Sequence, residues 1–171
     1  MSTAKPRLRS TTPEPAASAA PLDRIDRAIL RALQRDASIS NVALAAKVNL
    51  SAAACLRRVE RLKAEGLIKG IVALLDPRPL NAGMLVIIGV VLDRSTPDAF
   101  TDFEKAAQKL SGCLECHLVT GEFDYIVMLR TKDNDSFNRL HAEQLLYLPG
   151  VRQVRTFMVL KQVLSTTQFP V

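Results

Sequence analysis

A chain of 171 residues, 48% hydrophobic and 23% charged, has the make-up of one or two small globular domains. It holds no window of about 18 apolar residues that could span a bilayer, and its three cysteines are too few, and odd in number, for a disulfide scaffold, so a reducing cytoplasm is the expected setting. The formal net charge of +6 is uneven: residues 1–80 carry 14 Lys or Arg against 7 Asp or Glu, and residues 81–171 carry 9 against 10.

Residues 1–20 lack the apolar stretch of a signal peptide and are rich in Pro, Ser, Thr and Ala, which reads as a disordered basic arm. A helix follows from Leu22-Asp23, with Asp23 as N-cap and Asp26 three residues on in a carboxylate version of the capping box. Ile25, Ile29 and Leu33 repeat along one side of it, and Arg35-Asp36-Ala37 ends it. Ser40 caps a second helix bearing Val42, Leu44, Ala45 and Val48, and Val48-Asn49-Leu50 interrupts the pattern before Ser51 caps a third. In that third helix Cys55, Val59 and Leu62 share a buried face. Helical rotation then puts Ala53, Arg57 and Arg61 opposite, with Arg58 on the flank.

Two helices joined by a tight turn, the second showing small and cationic side chains, make the layout of a helix-turn-helix. Arginines suit guanine edges or phosphates, and the Ala53 methyl suits a thymine methyl. The basic excess lies in the same half of the chain, as a phosphate backbone requires. The expected DNA contacts are Ser40, Asn41, Ser51, Ala53, Arg57, Arg58 and Arg61. A β-leaning run from Leu67 to Leu75 predicts a short wing or linker strand, and Asp76-Pro77-Arg78-Pro79 marks a boundary, giving a first domain over 21–81.

The second domain, 82–171, has another rhythm. Met84 to Leu92 predicts a buried strand, and Thr96-Pro97-Asp98 opens a helix to about Leu110. Strands over Gly112–Thr120 and Phe123–Thr131 flank a two-residue turn at Gly121-Glu122. A helix from Asp133 to Leu148 ends at Pro149-Gly150, and a last strand runs from Val151 to about Thr166. The order is β-α-β-β-α-β, the ferredoxin-like arrangement. Helices cover one face of such a sheet, so Val86, Ile88, Val90, Ile126, Met128 and Val154, or neighbours of that parity, are expected on an open apolar face that a second copy covers.

Catalysis and metal binding find no support in the pattern. There is no nucleophile–base pair, no metal-spaced ligand set and no phosphate-cradling glycine loop, so neither an enzyme nor a cofactor is expected. Cys113 and Cys116 form a CxxC within a strand, where residues three apart point to opposite faces, and His117 and His141 stand without partners. The aliphatic strands also lack the aromatic platform of sheet-type RNA readers.

Six segments in order resemble the leucine-responsive regulatory protein/AsnC family of bacterial transcription regulators over about residues 22–163: L-D-R-I-D-R-A-I-L at 22–30, I-S-N-V-A-L-A at 39–45, N-L-S-x-x-x-C-L-R-R-V-x-R-L at 49–62, E-G-L-I-K-G at 65–70, E-C-H-L-V-T-G-E-F-D-Y at 115–125 and L-P-G-V at 148–151. The resemblance implies a winged helix-turn-helix joined to a ferredoxin-like βαββαβ domain that senses an amino acid or related metabolite. It also implies dimers on double-stranded DNA that associate further, often into octamers, in the bacterial cytoplasm and nucleoid, with no membrane partner. The effector pocket it implies lies around the hairpin, here Leu118, Thr120, Gly121, Phe123, Asp124 and Tyr125, with Gly121 admitting a carboxylate and Asp124 accepting an α-ammonium. Where many members begin the recognition helix Ser-Pro-Thr-Pro, this chain has Ser51-Ala52-Ala53-Ala54, which leaves base preference open. The alternative reading is an architectural nucleoid-type DNA-binding protein without a specific effector.

Overall fold

The computed structural model describes residues 21–93, 95 and 98–171, in two compact units, 21–73 with 166–171, and 74–165. The first is built on three helices: α1 (Arg24–Arg35), α2 (Asn41–Lys47) and α3 (Ala52–Ala64). Each starts at the polar cap the sequence supplies. Asp23 and Asp26 complete a reciprocal capping box, while Ser40 accepts from the Ala43 N–H and Ser51 from the Ala54 N–H. Asn49 takes a left-handed φ of 55° between α2 and α3, where the short amide side chain is tolerated. Ile29, Leu44, Ala45, Cys55 and Leu62 are nearly inaccessible and form the core. The last residues return to this unit: the Arg31 guanidinium donates to the Val171 carbonyl oxygen, the Gln34 amide brackets the Phe169 backbone from both sides, and Val171 packs on the helical core.

The linker strand expected over 67–75 is not formed. The Leu67 and Ile68 N–H groups close the end of α3 on the Leu62 carbonyl, and beyond Gly70 the backbone finds no ladder partner among the described residues. Ile71, Val72, Leu74 and Leu75 are left exposed. Their β-branched character favours extension but cannot replace a neighbouring strand.

In the second unit, β1 (Met84–Leu92), β2 (Cys113–Leu118), β3 (Tyr125–Thr131) and β4 (Val151–Met158) form one antiparallel sheet in the order β2-β3-β1-β4. Helices α4 (Ala99–Ala107) and α5 (Asn134–Glu143), followed by a 3-10 turn at Leu145–Tyr147, contribute to the same core. This is the βαββαβ order the sequence predicts, with shorter elements. β4 stops at Met158 because its partner β1 runs out: the Val159 N–H makes a last bond to Leu85 O, and β1 begins at Met84. α5 gives way to the 3-10 turn before Pro149. At the start of α4, Asp98 is left-handed (φ 60°) and gives no side-chain cap, while the expected opening at Thr96-Pro97 lies outside the described residues.

The register corrects the expected faces. Val86, Ile88 and Val90 pair with Leu129, Val127 and Tyr125 on one side and Met158, Thr156 and Val154 on the other, and all three are fully buried against the helices. The helix-free face carries the opposite parity of β1: Leu85, Ile87, Gly89 and Val91, with Ile126, Met128 and Phe157. A continuous β-branched run hides its own parity, and only pairing resolves it. Of the six residues expected in the open, Ile126 and Met128 are there; Val86, Ile88, Val90 and Val154 face inward.

The CxxC expectation changes as well. A bulge between Cys113 and Glu115 sets Cys113 opposite Leu129 and Cys116 opposite Val127, both helix-side residues, so the extra residue turns the two sulfurs to the same face. Both thiols titrate above the ordinary range. Desolvation raises Cys113, and desolvation followed by Cys113 and Glu104 raises Cys116, so neither sulfur is activated as a thiolate.

Candidate DNA interface and effector loop

Helix α3 presents three kinds of side chain. Cys55, Val59 and Leu62 point into the core; Ala52, Ala53, Leu56, Arg57, Glu60 and Lys63 are exposed; Arg58 and Arg61 are half-buried. The two half-buried arginines turn back to α1. Arg58 Nη1 donates to Asp23 Oδ2 at 2.6 Å and Asp26 Oδ1 at 2.8 Å, and Arg61 Nη2 donates to Asp26 Oδ2 at 2.6 Å. Glu65 lies 3.7 Å from Arg61.

Asp26 is 1% exposed, a carboxylate that demands counter-charge. Its burial pushes the pKa up, but the Arg61 and Arg58 guanidiniums and the Asp23 backbone outweigh that and hold it below the ordinary carboxylate range. Arg61 therefore does not lie on the outer face, as helical rotation alone predicts. Its long side chain sweeps around the flank to a buried charge in another helix.

Ser40 and Asn41 serve the motif's own geometry. Ser40 caps α2, and Asn41 Nδ2 donates to the Ala52 carbonyl at 2.8 Å, tying the starts of α2 and α3 together. Ser51 caps α3 in the same way. Ala53 and Arg57 remain outward. Leu56, 46% exposed three residues after Ala53, and Lys63 join them; the spacing that singles out Ala53 could have found both. The Asp26 clamp leaves no sequence signal, because its partners lie 32 and 35 residues away.

In the second unit the hairpin is wider than a two-residue turn. The Val119 N–H bonds to Asp124 O at 2.9 Å, leaving a four-residue loop from Thr120 to Phe123. Gly121 sits at its tip with φ 114°, a conformation side chains rarely adopt. Leu118, Thr120 and Gly121 are exposed, and Phe123 is half-buried.

The two residues after the loop are internal. Asp124 is 5% exposed and its Oδ2 accepts the Leu92 N–H at 2.8 Å, so its carboxylate faces the interior. Tyr125 is 2% exposed, stacks 4.6 Å from the Phe103 ring, and donates its hydroxyl to Glu104 Oε1 at 2.7 Å. Burial and then the hydrogen bond to Glu104 raise its pKa. Strand alternation after a buried aspartate carries Tyr125 to the helix side.

Phe123 points the other way, onto the helix-free face. Its ring lies against Gly89, where a Cβ would come within 2.6 Å of it. Phe157 meets it edge-on at 6.3 Å, the Arg155 guanidinium lies 5.8 Å from its centroid, and Arg155 pairs with Glu122. The loop is thus fastened to the open sheet face by one aromatic ring.

Residues 22–69 match the family model of a winged helix-turn-helix DNA-binding domain, and residues 85–169 match that of the Lrp/AsnC ligand binding domain. The leucine-responsive regulatory protein of Klebsiella pneumoniae is 49% identical over 142 residues, 83% of this chain and 87% of its own length. The chain belongs to the Lrp/AsnC family. It is, accordingly, a DNA-binding transcriptional regulator responsive to a small-molecule effector, with a helix-turn-helix unit and a ferredoxin-like ligand-binding unit. Among solved Lrp/AsnC structures, a transcriptional regulator of Neisseria meningitidis in complex with L-methionine superimposes with a TM-score of 0.84 at 34% identity, over 88% of this chain and 97% of the other. The feast or famine regulatory protein of Mycobacterium tuberculosis, also with L-methionine, gives 0.78 at 27% identity over 87% and 99%. Within that family frame, the described residues contain no helix long and apolar enough to cross a membrane.

Proposed function

We propose that this regulator grips duplex DNA through the outer face of α3 and senses an amino acid at the loop from Leu118 to Phe123. The observation that carries the reading is the pairing of two outward features: a recognition helix whose Ala53 and Arg57 are unobstructed, and a loop whose Phe123 rests on an apolar, helix-free sheet face. Ser51 sets the start of the reading helix, Ser40 and Asn41 brace it, and Ala53 and Leu56 offer methyl groups to thymine.

The open face with Ile87, Ile126, Met128 and Phe157 is the surface on which two copies join. The resulting homodimer associates into a higher oligomer, an octamer by family likeness, with paired helix-turn-helix units on paired half-sites. An L-α-amino acid then docks its carboxylate on the Gly121 backbone and its side chain near Phe123. Asp124 and Tyr125 hold the loop from behind rather than line it. L-methionine, the ligand of the two solved relatives, and L-leucine are the leading candidates. The protein works in the bacterial cytoplasm, on the nucleoid, and carries no enzymatic activity.

Thermal-shift and light-scattering measurements with each of the twenty amino acids test the sensing half. Stabilisation by an aliphatic amino acid together with a change in oligomer size is expected. Silence from all twenty would remove amino-acid sensing. Footprinting tests the DNA half: spaced, protected half-sites support a regulator, whereas uniform coverage would replace it with an architectural role.

A further inference from the structure

The three arginines at the DNA-reading helix have different obligations. Arg58 is shared between Asp23 and Asp26, and Arg61 sits on Asp26 with Glu65 nearby. Arg57 is exposed and makes no hydrogen bond or ion pair with any described residue. Both carboxylate oxygens of Asp26 are occupied by guanidiniums, and Oδ2 also takes the Asp23 N–H at 3.3 Å. Since Asp26 is 1% exposed, water cannot take over for a guanidinium that leaves. A DNA phosphate competing for Arg58 or Arg61 would strand a buried charge, while one meeting Arg57 breaks nothing.

We propose that Asp26 is the positioning residue of the DNA-reading helix. It occupies Arg58 and Arg61 in fixing α3 against α1, and leaves Arg57 as the arginine of α3 that meets the duplex. The assignment rests on the reading that the outer face of α3 is the one turned to DNA. It splits a basic cluster that looks uniform in the sequence into one grip and two tethers. The capping box adds to the fixity: Asp23 and Asp26 hold each other's backbone at the start of α1, so the carboxylates that receive the tethers are themselves immobile.

Counterion release separates grip from tether, because each neutralised phosphate adds about 0.9 to the slope of log affinity against log salt. The experiment uses the full chain and fluorescence anisotropy on two probes, a mixed-sequence duplex and the site that the wild-type protein enriches from a random pool. Arg57→Gln is expected to lower the slope by about 0.9 for each phosphate it no longer neutralises, while Arg58→Gln and Arg61→Gln leave it unchanged. Asp26→Asn is expected to lower the ratio of enriched-site to mixed-sequence affinity about fivefold or more, well below its melting temperature, with the mixed-sequence affinity retained. Arg61→Lys, which keeps the charge but not the guanidinium geometry, repeats that test should Asp26→Asn fail to fold.

A slope reduction by Arg58→Gln or Arg61→Gln equal to that of Arg57→Gln would overturn the proposal, since those residues would then be grips. An unchanged ratio in both Asp26→Asn and Arg61→Lys would overturn it too, leaving Asp26 a support of the fold alone. The slopes are read on mixed-sequence DNA, so they decide the matter even if no site is enriched. That outcome would count against sequence-specific binding instead.

Discussion

Asp26 and Asp124 are both nearly inaccessible aspartates, one in each unit, and they are satisfied in different ways. Asp26 receives two guanidiniums from another helix, whereas Asp124 accepts a backbone N–H from the end of β1. The first arrangement makes the placement of a helix depend on charge. The second stitches a loop end to a strand that the sheet already holds. The helical unit should therefore feel acid and substitution at Asp26, where one carboxylate fixes one helix against another, while the sheet unit is also held by its ladder and an apolar core.

The largest expected effect breaks the first arrangement. Asp26→Ala leaves Arg58 and Arg61 without their shared carboxylate and should cost about 2–4 kcal/mol in urea unfolding, below the upper end for a fully buried pair because both guanidiniums keep part of their hydration. Acid should sharpen the same contrast. Because Asp26 is held below the ordinary aspartate range near 3.9, its contribution is complete above that value and is lost as pH falls through its lower folded pKa. The melting temperatures of wild type and Asp26→Asn should accordingly converge as pH drops below about 4. A gap that stays constant into strong acid would remove the charge from the explanation.

Two smaller effects probe the sheet unit. Gly89→Ala drives a methyl into the Phe123 ring, which can swing away, so the expected stability loss is about 1–2 kcal/mol. The clearer readout is the loop: effector-induced thermal stabilisation should fall in this variant while the unliganded circular dichroism spectrum is kept. Tyr125→Phe removes the donor to Glu104 and should cost about 1 kcal/mol with no change in effector response, because that hydroxyl faces the helix layer and not the loop.

Much of the architecture was legible from local chemistry. Asp23, Ser40 and Ser51 each announce a helix start, and all three cap as the sequence implies. The βαββαβ order follows from the alternation of β-branched runs with capped amphipathic stretches. What stayed hidden was set by distant partners. No periodicity tells that Met84–Leu92 turns its even-numbered residues inward, that Arg61 reaches Asp26, or that Asp124 folds back on Leu92. The segment 67–75 has strand composition without a strand, because a ladder needs a neighbour the local sequence cannot supply.

The bulge at Cys113/Glu115 acts on β2 as an inserted base acts on a reading frame. Upstream of it the strand is in one phase with β3, and downstream every side chain is displaced by one: Glu115 and His117 reach the open face, Cys116 and Leu118 the helix side. Deleting the single residue Leu114 would restore a regular strand and leave those four assignments as they are. Pairing β2 regularly with Leu114 retained would exchange them, turning an imidazole and a carboxylate toward the helix layer where sulfur and aliphatic carbon now sit. A homologue one residue shorter at this point can therefore keep the same alternation of polar and apolar side chains, whereas one of equal length without the bulge must reverse it.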